Sequence, residues 1–140
     1  MSADEDFART RSHQDAKVAT ELARAAAWAA VLLNAGAGGA VLTVGPPMAG
    51  VASFALAGYA LGAFFAVLML FALFQWIERW NVHWEAIARG QGKAAIDRTH
   101  ARASKLTPAI GLCFALAMLG FLAASAALVS GMMSLAGPPA

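Results

Sequence analysis

Charged residues fall in two blocks, Asp4–Arg24 and Glu78–Lys105, and apolar runs fill the rest of the chain. No charged residue lies between Arg24 and Glu78, and none follows Lys105. A soluble core has no use for so long an uncharged run, whereas a bilayer does. The pattern predicts an all-α protein, a three-span transmembrane bundle with a cytoplasmic N-terminal helix and a helical cytoplasmic loop. The expected plan is one membrane domain over 1–140. It has a cytoplasmic helix at 1–21, a first span at 22–44, a periplasmic turn at 45–50 and a second span at 51–76. A cytoplasmic helical loop at 77–106, a third span at 107–132 and a periplasmic tail at 133–140 complete it.

Local signals support these divisions. Ser2 followed by Glu5 fits a capping box, and Glu5 and Arg9 are spaced i,i+4. Nothing between Ala16 and Leu33 breaks a helix, so the first helix is expected to run straight into the first span. Gly45-Pro46-Pro47 ends that span, because two prolines cannot continue a helix without losing hydrogen bonds. The second span is expected to project past the membrane through Trp76, Trp80 and Trp84, and Gly90-Gln91-Gly92 to stop it. A short helix Lys93–Lys105 then leads to Thr107-Pro108, read as an N-cap with proline at the first helical position.

Composition agrees with the pattern. Of the 140 residues, 60% are hydrophobic and 13% charged, about half the charged share of a typical soluble domain. The formal net charge of +2 is too small to indicate nucleic acid. Lys and Arg occur only in the two charged blocks, so the positive-inside rule puts both on the cytoplasmic side. The N-terminus is then cytoplasmic and the C-terminus periplasmic. The opening Ser-Ala-Asp-Glu-Asp lacks the basic region of a signal peptide.

Candidate chemistry is sparse. Asn34 is the most polar residue of the first span, and an amide in hydrocarbon needs partners. It reads either as a hydrogen bond between helices or as a pore or ligand contact. Small residues recur at four-residue spacing. Gly36 pairs with Ala40, Ala35 with Gly39, Gly58 with Gly62, Gly111 with Ala115 and Gly120 with Ala124. Such spacing lets backbones approach closely, within one monomer or between molecules. The candidate packing residues are therefore Asn34, Gly36, Gly39, Ala40, Gly58, Gly62, Gly111 and Gly120. Trp76, Trp80 and Trp84 are expected to anchor the chain at the membrane interface.

His13, His83 and His100 have no i,i+3 or i,i+4 spacing and no adjacent ligand set, so neither a metal nor a cofactor is expected. Lone Cys113, in an apolar run, reads as a small buried residue. No nucleophile triad, phosphate loop or dinucleotide fingerprint is present, and the chain is not expected to be an enzyme.

The Leu32–Leu42 stretch, Asn-Gly-Ala-rich and following a charged helix, resembles small uncharacterised three-span proteins of the bacterial inner membrane. The basic segment between the second and third spans extends the likeness. Asn34-Ala35-Gly36 departs from the plain Asn-Gly-Gly of that pattern. The resemblance implies an inner-membrane location and supplies no activity. The expected function is association in the bilayer, as an accessory or scaffold subunit in a homo-oligomer or larger complex. The alternative is a self-assembling, holin-like pore.

Overall fold

The computed structural model describes residues 3–43 and 49–136. Ser2 of the expected capping box, the Gly45-Pro46-Pro47 turn and the Gly-Pro-Pro-Ala tail lie outside the described residues, as do the side chains of Glu5, Arg9 and His13. Within them the chain forms four helices and no strand: α1 (Ala3–Val41), α2 (Ala49–Ala88), α3 (Lys93–Ser104) and α4 (Thr107–Ala136).

α1 carries no proline and passes from its charged half into its apolar half without interruption. α2 extends twelve residues beyond Trp76, to Ala88. The turn that follows places Gly90 at a φ of 63°, which suits glycine. There the Gly90 amide donates to the Ile87 carbonyl at 3.0 Å and the Gln91 amide to the Ala86 carbonyl at 3.1 Å. This pair of bonds satisfies carbonyls that a helix end leaves open.

The break between α3 and α4 has a local cause. Pro108 has no amide to give the Ser104 carbonyl, and its ring crowds that oxygen. The helix therefore stops at Ser104 and resumes at Thr107. Thr107 is the first residue of α4 and not its N-cap; the Leu106 carbonyl accepts the Ile110 amide at 3.0 Å.

α2 is the central helix, with α1 and α4 packed on it and only lightly on each other. Asn34 lies against Gly62 and Gly38 against Tyr59, so α1 runs antiparallel to α2. Gly58 lies against Ala124 and Gly62 against Ala117, so α4 does too. The interior is built from small side chains. Ala27, Ala30, Ala55, Ala66, Ala117 and Ala124 are buried, joined by Tyr59, Met69 and Leu73. Large side chains point outward: Phe54, Leu61, Phe64, Phe71 and Phe74 on α2, and Leu119, Leu122 and Met133 on α4. Phe71 is 66% exposed where Ala66 is 0% exposed, the reverse of a water-soluble core. Apolar surface on this scale marks contact with a membrane or another protein. Two segments, 50–88 and 93–135, are long and apolar enough to cross a membrane. α1 is not among them: its charge-free part, from Ala25 to Val41, is short and holds Asn34.

Candidate functional site

Two places collect the polar chemistry: the Asn34 contact inside the bundle and the aromatic end where α2 meets α3.

Asn34 is 1% exposed. Its Nδ2 donates to the Ala30 carbonyl at 2.9 Å and to the Ala117 carbonyl on α4 at 3.5 Å. The second contact is at the outer limit of a hydrogen bond. Oδ1 has no donor and is pressed against Gly62, where a Cβ would overlap it. A Cα–H contact from Gly62 is the interaction open to such an oxygen. Asn34 thus joins α1 to both neighbours. Nearby, the Tyr59 and Ser125 hydroxyls share a hydrogen bond of 2.9 Å.

The small residues divide into two groups. Gly58, Gly62 and Gly120 are where α2 and α4 touch: a Cβ on Gly120 would stand 2.8 Å from the Gly58 carbonyl, and one on Gly58 would stand 2.9 Å from the Ala124 Cβ. Around Gly36, Gly39 and Gly111 a Cβ would meet nothing within 4 Å, and Ala40 is exposed. The spacing of these residues did not distinguish the two groups.

At the other end, α2 projects Trp76, Trp80 and Trp84 from one face, with successive ring centroids 5.9 and 6.2 Å apart. All three are half-buried. Trp76 Nε1 donates to Thr107 Oγ1 at 3.2 Å, tying α2 to the start of α4. Trp80 stands edge-on to His83 at 5.2 Å and to His100 of α3 at 5.4 Å, and the two imidazoles are 5.4 Å apart. Its Nε1 is buried without a partner. Their sequence spacing gave no support for convergence of His83 and His100; the turn at Gly90 brings them together. One signal could have shown it. In an antiparallel helix pair, residues equidistant from the turn face each other, and His83 and His100 are nearly equidistant from Gln91-Gly92.

His83 is 5% exposed. Thr99 Oγ1 donates to the Ile96 carbonyl at 2.8 Å, which occupies its one hydrogen. It therefore accepts from His83 Nδ1 at 2.9 Å, which assigns the proton of the neutral ring to Nδ1. Burial first, and His100 second, hold the His83 pKa below its ordinary value; a bond to the Ile96 backbone opposes them. Arg79 donates to the Arg102 carbonyl at 3.2 Å, a cation on the last turn of α3. No group of three potential ligands occurs among the described residues.

Between α1 and this end of α2 lies an open cleft of about 630 Å³, bordered by Lys17, Glu21, Arg24, Trp76, Trp80 and Trp84. The charged half of α1 therefore sits at the same end of the bundle as α3. No protein-family model, curated protein or solved structure matches the chain.

Proposed function

We propose that the protein is a three-span inner-membrane protein that acts by association, as an accessory or scaffold subunit rather than an enzyme. The observation that carries this reading is the division of the small residues. Gly58, Gly62 and Gly120 serve contacts inside the monomer, while Gly36, Gly39 and Ala40 leave one side of α1 open to close approach. In hydrocarbon, where no hydrophobic effect drives helices together, such surfaces favour van der Waals association. A homo-oligomer or a larger membrane complex would cover that side. In this reading the apolar half of α1 lies within the first span, 22–44, and the clustering of basic residues at one bundle end supports a cytoplasmic N-terminus and a periplasmic C-terminus.

The pore alternative has less support. A lumen needs polar residues on an outer face; of Asn34, Thr43, Ser53, Tyr59 and Ser125, only Thr43 and Ser53 are exposed, while the other three turn toward one another's helices. The test is native mass spectrometry of the full chain after extraction in mild detergent. Gly36→Leu and Gly39→Leu should lower assembly while insertion persists. A wild-type protein that is monomeric and without a partner would overturn the proposal.

A further inference from the structure

The cleft between α1 and α2 changes character along its length. Its outer part, about 630 Å³, presents Lys17, Glu21, Arg24 and Asn81 beside the tryptophan stripe. A smaller hollow of about 210 Å³ continues it, walled by Trp28, Leu70, Leu73 and Phe74. Arg24 and Ile77 border both parts, so the two form one groove that is polar at one end and apolar at the other. Among the described residues the ion pair is Glu85–Arg89, on the far side of α2's end, and neither Lys17 nor Arg24 is in it.

We propose that this groove binds one anionic glycerophospholipid. Its phosphate lies at Arg24, its headgroup lies toward Lys17, and one acyl chain lies along Trp28, Leu73 and Phe74. The order of the groove is the order of such a lipid, and Arg24 stands at the boundary where a phosphate joins headgroup to glycerol. A guanidinium presents paired N–H donors to phosphate oxygens. Charge selects the class. Among the described residues that line the groove, Lys17 and Arg24 against Glu21 leave an excess of one positive charge, which one phosphodiester neutralises and a zwitterionic lipid does not. Indole rings suit the same depth, with ring in lipid and N–H in the headgroup layer. Basic pockets between helices on the cytoplasmic side are a recurrent setting for anionic headgroups.

The inference rests on the membrane reading above, and two measurements separate them. Alkaline washing of membranes from expressing cells comes first; release into the soluble fraction would overturn the membrane reading and this proposal with it. Native mass spectrometry then counts lipids on the full chain taken from nanodiscs of equal phosphatidylglycerol and phosphatidylcholine. One retained phosphatidylglycerol per chain, preferred about fivefold or more, is expected. Arg24→Gln should lower that preference about fivefold, and Lys17→Gln, at an exposed position, should lower it in the same direction. Arg89→Gln, outside the groove, should leave it unchanged. Equal retention of the two lipids, or equal behaviour of Arg24→Gln and Arg89→Gln, would leave only annular lipid and overturn the proposal.

Discussion

Along Gly50–Gln75, α2 meets its neighbours through Ala55, Gly58, Gly62 and Ala66; along Trp76–Ala88 the same helix meets α3 through Trp80, His83 and Ala86. In the first half small residues bring backbones into contact, with the Tyr59 ring set 5.7 Å from that of Phe121 on α4 beside them. The second half fills the contact with rings and satisfies a buried imidazole from Thr99. The difference follows from the solvent that each half is read to occupy. In hydrocarbon, an apolar side chain gains little by moving from lipid to protein, so close backbone packing carries association. In water, burying an aromatic ring is itself favourable by about 25 cal/mol per Å² of apolar area. One continuous helix therefore uses two packing rules, and the change comes at Trp76, where its ring N–H reaches Thr107.

The sharpest way to break the comparison is to add bulk to the first half. Gly62→Leu places atoms where Asn34 Oδ1 lies, and even its Cβ would stand 3.0 Å from the Ala117 carbonyl. Backbone on one side and a buried amide on the other give it no room to yield. A loss of about 3 kcal/mol or more is expected, at or beyond the upper end of ordinary overpacking. Unfolding in bicelles measures it. Gly39→Leu, whose Cβ meets nothing, should leave monomer stability within about 0.5 kcal/mol. Equal losses at the two positions would mean that close packing does not distinguish the interior from the outer face.

The helical body was legible because its signals are local. Charge segregation, proline-free runs, Gly90 and Pro108 each act within a few residues, and they set the ends of α2, α3 and α4. The N-cap role expected for Thr107 failed by one residue, because the helix resumes at Thr107 itself, one residue before Pro108, and leaves its hydroxyl to Trp76. The division of the glycines was not legible. Gly36 and Gly62 share the same spacing pattern, and only the rotation of each helix about its axis decides which one faces a neighbour. The His83–His100 pair was hidden for a related reason: spacing rules within one helix do not see across a turn. The α1–α2 groove depends on both effects and on the projection of α2 beyond Trp76.

A smaller effect tests the buried amide of the first half. Asn34→Ala removes the bonds from Nδ2 to the Ala30 and Ala117 carbonyls, and it also removes the unpartnered Oδ1. These act in opposite directions. Polar contacts between membrane helices average about 0.6 kcal/mol and reach about 2 kcal/mol, so a loss near 1 kcal/mol in the same bicelle assay is expected. A neutral or stabilising result would show that burying Oδ1 costs as much as Nδ2 contributes, and Asn34 would then act on helix register alone.

The smallest effect belongs to the Trp76–Ala88 half, where α3 is held to α2 through His83, Trp80 and Thr99. Burial and His100 lower the His83 pKa in the folded protein, so the docked state binds fewer protons than the undocked one. Docking then strengthens as pH rises. It is complete above the undocked value of about 6.5 and weakens as pH falls below it toward the lowered folded value. Near-ultraviolet circular dichroism of the tryptophan cluster, followed from pH 8 to 5, should lose intensity below about pH 6.5 while the helical far-ultraviolet signal holds. His83→Gln should flatten that profile. His100→Gln should weaken it, because removing one cause of the depression narrows the gap between the two states. A wild-type profile that stays flat would mean that α3 is held by contacts indifferent to the imidazole charge, with Trp80 and Ala86 sufficient to keep it in place.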